Sequence, residues 1–143
     1  WRIKKQVDTV LRDEQAGFRS GRSCTDQIFT LRRILEQVLK HKTPLIVNFV
    51  DFEKAFDSLD RESLWKILAV YGIPSKYIRV ISSLYEDSEC CVKVEDDHTQ
   101  WFKILTGVKQ GCVLSPVLFG LAMDWLMRQT IGVAARGPKW TGT

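Results

Sequence analysis

The feature that most constrains this chain is an apolar segment that ends on a carboxylate. Residues 45–50 are Leu-Ile-Val-Asn-Phe-Val, and Asp51 follows them directly. A short run rich in β-branched and aromatic residues predicts a buried β-strand. A carboxylate at the end of a buried strand costs free energy unless it is paired or holds a cation. The sequence therefore predicts that Asp51 contacts a cationic side chain or a metal ion.

The residues alone leave three interpretations of Asp51 open. It can cap a helix or form an ion pair, which are common uses of such a carboxylate. It can be a phosphatase-type nucleophile, but that chemistry usually has a second Asp two positions on, where this chain has Glu53. It can also be a ligand of Mg²⁺ in a polymerase palm, with the bulky Phe56 close to the sugar of a triphosphate.

Composition limits the size and class of the protein. A chain of 143 residues with 45% hydrophobic content can bury one core, so we expect one domain or part of one. No apolar run is long enough to span a bilayer, so no membrane association is predicted. The start has neither an initiator Met nor a signal peptide, which indicates an excerpt from a longer reading frame. The cysteines form no metal-binding pattern and are expected to be reduced thiols of an intracellular protein.

Positive charge is concentrated in the first third of the chain. Residues 1–42 contain ten Lys or Arg against five Asp or Glu, whereas residues 43–143 contain eleven against twelve. This distribution suits a lobe that touches phosphates. A basic helix face exposed to solvent explains the same charges, and the charge alone favours that simpler interpretation.

The apolar periodicity predicts helices separated by short strands. We expect helices over residues 1–11, from a cap at Thr25 or Asp26 to about residue 42, over 61–71, from after Pro74 to about 85, and from 115 or 116 to about 129. Strands are expected at residues 45–50, 90–94 and 101–105, with the last two forming a β-hairpin around the polar turn 95–98. Strands of this kind among helices predict an α+β fold.

Two glycine-bracketed loops are further candidate binding elements. In residues 107–112 the backbone freedom of the glycines delivers Gln110 and Gly111 just before a helix, where the amide of Gln110 offers both a donor and an acceptor. In residues 17–23 the loop carries Arg19 and Arg22, and arginine grips phosphate through paired hydrogen bonds. An ordinary loop into a helix, and a turn with exposed charges, are the alternatives.

Taken together, residues 15–26, 50–65 and 106–128 closely resemble the reverse transcriptase of non-LTR (LINE-type) retrotransposons, which is related to that of group II introns. Residues 71–74 and 84–88 between these motifs resemble it too. Three separate motifs in the right order make the resemblance specific. It implies the fingers–palm part of a right-hand polymerase, with residues 1–44 as a fingers-like basic segment and residues 45–131 as a palm portion. Residues 132–143 would be a connector.

The resemblance also implies roles for individual residues. Asp51 matches the first catalytic aspartate, which binds the two Mg²⁺ ions, and the backbone carbonyl of Phe52 would be a further ligand. Phe56 matches the steric gate, whose ring crowds a 2′-hydroxyl and so favours deoxynucleotides. The remaining matches are nucleotide-binding: Gln110 and Gly111 in the loop that lines the pocket, and Arg19 and Arg22 in the fingers motif that contacts triphosphate or template.

The function implied by the resemblance is templated transfer of deoxynucleotides to a primer 3′-hydroxyl. Its partners would be an RNA template, a DNA primer and deoxynucleoside triphosphates, and the family implies action in the nucleus. Two metal ions would stabilise the attacking and leaving oxygens. Positioning and electrostatics would supply the rest of the catalysis.

One expected motif is missing from the sequence. A working palm has an aromatic-Ala-Asp-Asp hairpin after the Gln110 loop, and residues 127–143 do not contain it. Asp96 and Asp97 precede that loop and are interpreted as a polar hairpin turn. We therefore expect an incomplete palm sheet and a fragment that is inactive alone. A non-catalytic nucleic-acid-binding remnant and a decayed copy without a role are the alternatives.

Overall fold

The computed structural model describes residues 2–131, apart from the side chains of Arg2 and Lys5. The connector predicted for residues 132–143 lies outside the described residues. Helices and strands follow one another in the order α1 (Arg2–Val10), α2 (Cys24–His41), α3 (Arg61–Val70), α4 (Ser75–Ser83), β1 (Glu89–Cys90), β2 (Lys93–Val94), β3 (Asp97–His98), β4 (Phe102–Lys103) and α5 (Ser115–Ile131). This mixture of helices and small antiparallel sheets confirms the predicted α+β class.

All five predicted helices are confirmed, although the cap of α2 was misplaced. The hydroxyl of Ser23 accepts a hydrogen bond from the backbone N–H of Thr25 at 3.0 Å, so Ser23 is the cap. Thr25 lies inside the helix, and the prediction of Thr25 or Asp26 was wrong. At α3, the carboxylate of Asp60 accepts from the N–H of Ser63 at 2.8 Å. Hydrogen bonding by the Ser63 side chain, and then by its backbone N–H, lowers the pKa of Asp60.

The predicted hairpin is present but is divided into two short antiparallel pairs. Strand β1 pairs with β4 at its base, and β2 pairs with β3 at its tip. Val94 lies opposite Asp97, so Glu95 and Asp96 form the turn, and Glu95 adopts a left-handed φ of 53°. The interpretation of Asp96 and Asp97 as a polar hairpin turn is confirmed for Asp96, whereas Asp97 is the first residue of β3.

The strand predicted for residues 45–50 is not formed, and this prediction was wrong. The segment has no regular secondary structure, and Ile46 and Phe49 are 88% and 84% exposed. A strand needs a partner for its backbone N–H and C=O groups. Within residues 2–131, no backbone segment hydrogen-bonds to residues 45–50. Asp51 is consequently exposed, and the argument from the cost of burying its carboxylate does not apply.

The core lies between α1, α3, α4 and α5. Its most deeply buried side chains, each 1% exposed, are Leu64 and Leu68 from α3 and Leu118 and Leu121 from α5. Burial of a leucine side chain contributes roughly 1.5–3 kcal/mol. Helix α2 has no buried residue and packs against no other described helix or strand.

Candidate functional site

The three predicted motifs meet at one cleft of about 600 Å³. One wall comes from the loop before α5 and the first residues of that helix, and the other comes from the segment before α3, with Phe18 of the glycine-rich loop at the edge. The lining residues are Phe18, Lys54, Ala55, Phe56, Gln110, Gly111, Cys112, Val113, Ser115 and Pro116. The structure thus brings Phe56, Gln110 and Gly111 together at one cleft, and their nucleotide-binding roles stay predictions.

Backbone hydrogen bonds tie the two walls of the cleft to each other. The N–H of Gly107 donates to the carbonyl of Leu59 at 2.7 Å, and the N–H of Val108 donates to the carbonyl of Phe56 at 2.8 Å. The approach is so close that a Cβ on Gly107 would lie 2.6 Å from the Cα of Asp57. Gly107 also has a left-handed φ of 79°, which disfavours residues with a side chain. Both the close contact and the backbone conformation therefore require glycine.

The two glycines of the loop serve different purposes. Gly107 allows the loop to approach the chain's own backbone at Phe56 and Asp57. A Cβ built on Gly111 would meet nothing within 4 Å, and Gly111 lines the open cleft. Its backbone is therefore accessible to a ligand, and its φ of 78° again favours glycine.

Arg61, at the start of α3, anchors the cleft loop, which is the loop before α5 that lines the cleft. Its guanidinium donates to the carbonyls of Ile104 at 2.8 Å, Gly107 at 2.9 Å, Tyr85 at 3.0 Å and Thr106 at 3.2 Å. It also lies 5.2 Å from the centre of the Tyr85 ring. The rigid fork of arginine suits several carbonyls at once, and the bonds fix the loop against α3. Sequence reasoning missed Arg61 because its partners lie 24 to 46 residues away.

Gln110 is oriented by a carboxylate. Its Nε2 atom lies 3.2 Å from both carboxylate oxygens of Asp57, which is exposed beside the cleft. Because the amide nitrogen is engaged with Asp57, the amide oxygen is left as the acceptor that can meet a ligand. The sequence singled out Gln110 but did not indicate Asp57 as its partner.

The ring of Phe56 lies between two other phenylalanines. The Phe119 ring of α5 stacks on it, with centroids 4.8 Å apart and planes 12° apart. The Phe18 ring meets it edge-on, at 6.1 Å and 89°. Both arrangements are preferred geometries for aromatic pairs. Neither neighbour was predicted, although Phe18 adjoins Arg19 and Phe119 lies in the motif of Gln110.

The two predicted phosphate-binding arginines have different surroundings. The side chain of Arg19 is 6% exposed, and its guanidinium donates to the carboxylate and carbonyl of Asp8 and to the carbonyls of Arg12 and Gln15. These bonds anchor the loop that carries Phe18. Arg22 is more exposed and pairs with Asp13. Contact of either arginine with phosphate stays a prediction.

Asp51 and Phe52 lie on the exposed segment before the cleft. Neither residue lines the cleft, and no hydrogen-bond partner of the Asp51 carboxylate occurs between residues 2 and 131. In the same part of the chain, no three His, Cys, Asp or Glu side chains cluster so that they could hold a metal ion. A carboxylate and a backbone carbonyl are suitable ligands for Mg²⁺, but they make only part of a site for two ions.

A buried carboxylate links α5 to the residues that follow α1 and α3. Asp124 of α5 is fully buried and accepts hydrogen bonds from Tyr71 at 2.5 Å, from Arg128 at 2.7 Å and from the backbone N–H of Arg12 at 3.0 Å. Burial opposes the charge of Asp124, but these donors outweigh burial and lower its pKa. The pKa of Tyr71 is raised to about 12 by burial and by the bond to Asp124.

Comparison with known proteins identifies the family. Residues 2–135 match the family described as "Reverse transcriptase (RNA-dependent DNA polymerase)", so the chain belongs to the reverse transcriptase family. No helix among the described residues is long and apolar enough to cross a membrane.

The curated relatives that the chain resembles are named as proteins of transposable elements. It is 33% identical over 80% of its length to the Retrovirus-related Pol polyprotein from type-2 retrotransposable element R2DM of Drosophila melanogaster. It is 30% identical over 86% to the Transposon TX1 uncharacterized 149 kDa protein of Xenopus laevis, and 31% over 78% to the Probable RNA-directed DNA polymerase from transposon BS of Drosophila melanogaster. The matched region is 11%, 9% and 12% of these relatives.

Proposed function

We propose that this chain is the fingers–palm part of a retrotransposon reverse transcriptase, and that its cleft receives the incoming deoxynucleoside triphosphate. The observation that carries the proposal is the cleft itself, because Phe18, Phe56 and Gln110 come from three separate motifs and line one space. In this proposal residues 1–44 are fingers-like and residues 45–131 belong to the palm. Residues 132–143 connect to the next palm motif.

The roles proposed in the cleft follow from the groups that face it. The ring of Phe56 supplies a flat apolar surface that excludes a 2′-hydroxyl. Gln110, oriented by Asp57, offers its amide oxygen as an acceptor, and Gly111 offers an open stretch of backbone. Template RNA and primer DNA would lie alongside, with the primer 3′-hydroxyl as the attacking group. Such a site works by positioning the reactants and by electrostatic stabilisation.

Asp51 and the carbonyl of Phe52 would hold Mg²⁺, which when bound stabilises the attacking and leaving oxygens. The proposed contribution of the chain's own residues is to bring this carboxylate to the triphosphate. Because Asp51 follows the uncovered segment 45–50, a partner for that segment would be needed to fix its position. Coordination of Mg²⁺ by these residues is supported by the chemistry of the ligands and by the family.

We also propose that the 143-residue chain does not catalyse nucleotide transfer by itself. Its sequence has no aromatic-Ala-Asp-Asp motif, and its one Asp-Asp pair lies exposed at the hairpin tip, with Asp96 in the turn and Asp97 in β3. A single carboxylate at Asp51 is too few for two ions at catalytic spacing. In a primer-extension assay with an RNA template, we expect no incorporation. Templated incorporation that is abolished by Asp51→Ala would refute the proposal.

Nucleotide binding tests the cleft without requiring catalysis. We expect the purified chain to bind dATP with Mg²⁺, and Gln110→Ala to weaken the affinity roughly tenfold, since one hydrogen bond to a charged or well-ordered ligand contributes about 1.5 kcal/mol. Gln100→Ala is the matched control, because Gln100 is an exposed glutamine outside the cleft. Equal affinities of both variants would count against a nucleotide site at the cleft.

A non-catalytic nucleic-acid-binding role is the second candidate, and the exposed arginines of α2 favour it. Arg32 and Arg33 lie on a helix without buried residues, and Arg22 lies just before it. Binding of RNA that weakens with salt, survives Asp51→Ala and falls with the double variant Arg32→Ala and Arg33→Ala would support this role. Nuclear localisation is proposed from the family, and imaging of the tagged chain tests it.

A further inference from the structure

The ring proposed to discriminate the sugar is held on two sides. Phe119 covers one face of the Phe56 ring at 4.8 Å, and the edge contact with Phe18 comes from another direction at 6.1 Å. Phe56 itself is half-buried and lines the cleft. The ring is therefore confined by neighbours rather than free to rotate in the open cleft.

The two neighbours are anchored differently. Phe119 belongs to α5, and Leu118 and Leu121 on either side of it are core residues that are 1% exposed. The helix that carries Phe119 is therefore fixed by the main core. Phe18 is exposed and has a left-handed φ of 59°, but the adjacent Arg19 is fastened to Asp8 by hydrogen bonds of 2.6 and 2.9 Å. Thus, Phe119 provides a rigid wall and Phe18 a second contact at the rim.

Steric exclusion depends on this confinement. A Phe56 ring that can rotate away from a 2′-hydroxyl lets the ribonucleotide bind. A ring that packs against a fixed neighbour cannot move out of the way. Packing of Phe119 behind the Phe56 ring therefore lowers the affinity for ribonucleotides. It contributes no contact to a bound deoxynucleotide. Its effect is thus expected in the ratio of the two affinities.

We propose that Phe119 and Phe18 are positioning residues that hold the Phe56 ring in the orientation that excludes ribonucleotides. The inference rests on the proposed nucleotide function of the cleft. It gives Phe18, which already lines the cleft, a positioning role and adds Phe119 of α5 to the site.

The test compares dissociation constants for dATP and ATP, each with Mg²⁺, in the wild-type chain and in Phe119→Leu. We expect the preference for dATP to fall roughly threefold to tenfold, the range that loss of one aromatic pair contact allows. The dissociation constant for dATP itself should change less than twofold. Phe119→Tyr keeps the stacked ring and should retain the wild-type preference. A purely structural role would weaken both affinities together and would overturn the proposal.

Phe18→Leu is the second variant, since Phe18 is exposed and its replacement leaves the core intact. We expect a smaller fall in the preference for dATP, and an unchanged ratio in both leucine variants would overturn the proposal. Phe102→Leu is the matched control, because Phe102 is half-exposed on β4 and lies outside the cleft.

A measurement without nucleotide separates this inference from the function on which it rests. NMR of the ¹³C-labelled Phe56 ring should show faster ring rotation in Phe119→Leu than in the wild type. Unchanged rotation overturns the positioning role, whatever the nucleotide affinities are. Faster rotation in a chain whose wild type binds dATP and ATP equally overturns sugar discrimination at the cleft, and this proposal with it.

Discussion

Two regions of this molecule differ in how completely they are packed. The packed region consists of α1, α3, α4 and α5 with the cleft loop, and it holds the leucine core, the Arg61 contacts and the Asp124 network. The uncovered region consists of α2 and residues 43–53, where Ile46 and Phe49 are exposed and α2 contacts no other described element. The cleft with Phe56 and Gln110 belongs to the packed region, whereas Asp51 lies in the uncovered region.

The difference divides the proposed site into two halves. The half that would contact the nucleotide is held in place by hydrogen bonds and aromatic contacts among residues 2–131. The half that would hold metal has a suitable carboxylate but no packed support in the same range. We infer that nucleotide recognition and metal binding depend on different parts of the fold, and mutations in the two regions should behave differently.

The largest loss in the free energy of unfolding is expected when the buried carboxylate of Asp124 is removed. Asp124→Ala removes the buried acceptor shared by Arg12, Tyr71 and Arg128, and each hydrogen bond to a charged group contributes about 1.5–3 kcal/mol. Because Arg12 and Arg128 are 25% and 44% exposed, water replaces part of the lost interaction, and we expect a total loss of about 3–5 kcal/mol. Urea unfolding measures the loss. A matched change at the exposed Asp97 should cost less than about 0.5 kcal/mol. Similar losses for both variants would contradict the distinction between the regions.

A leucine pair extends the comparison to apolar side chains. Leu118→Ala should lower the free energy of unfolding by about 2–5 kcal/mol, because it leaves a cavity in the core. Leu39→Ala makes the same chemical change on α2, where Leu39 is largely exposed, and should cost less than about 1 kcal/mol through the exposed surface alone. A cost at Leu39 as large as that at Leu118 would show that α2 is covered in solution.

Tyr71 gives the packed region a pH dependence of its own. Its pKa is about 12 in the folded chain, above the usual value near 10, so it binds its proton more tightly when folded. Its contribution to stability is therefore complete below about pH 10 and is lost as the pH rises through about 12. Unfolding between pH 8 and 12 should show a shallower decline for Tyr71→Phe than for the wild type. Parallel curves would be inconsistent with the bond to Asp124.

At the acid end the sign is reversed for Asp124. Its pKa is lowered by its hydrogen-bond donors despite burial, so its contribution is present above the unfolded pKa near 4 and is lost as the pH falls through the lower folded value. Asp124→Asn should remove this part of the acid sensitivity. The measurement compares the free energies of unfolding of the variant and the wild type at pH 7 and at pH 3. An equal difference at both pH values would contradict a stabilising role of the ionised Asp124 carboxylate.

The smallest effect is expected in the uncovered segment. Phe49→Ser should change the free energy of unfolding by no more than about 0.5 kcal/mol, since the ring is exposed in the folded chain. The same change should raise solubility, because exposed apolar residues promote association. Light scattering and urea unfolding together check both statements. A large loss of stability would mean that residues 45–50 are buried in solution.

The helices and the motifs could be predicted from the sequence, because both depend on local patterns. The apolar periodicity predicted helices that are present, and the local motifs indicated Phe56 and Gln110, which line one cleft. Residues 45–50 failed as a strand because β-propensity shows what a segment prefers and not whether a partner is available.

Long-range polar contacts could not be predicted from the sequence. Arg12 and Asp124 are 112 positions apart, and Arg61 meets carbonyls in two separate segments of the chain, at residue 85 and at residues 104–107. No local pattern distinguishes such residues from exposed charges. The aromatic neighbours of Phe56 were missed for the same reason, since Phe18 and Phe119 come together only after the helices have packed.

Mapping nucleotide binding by NMR is the most direct test of the central claim that residues 2–131 contain a preformed nucleotide cleft. Titration of the ¹⁵N-labelled chain with dATP and Mg²⁺ should shift the amide signals of Gln110 and Gly111 and those around Phe56. The signals of α4 and of the hairpin tip at Glu95 should stay in place. Absence of shifts at the cleft, or shifts confined to α4 or the hairpin, would contradict the account.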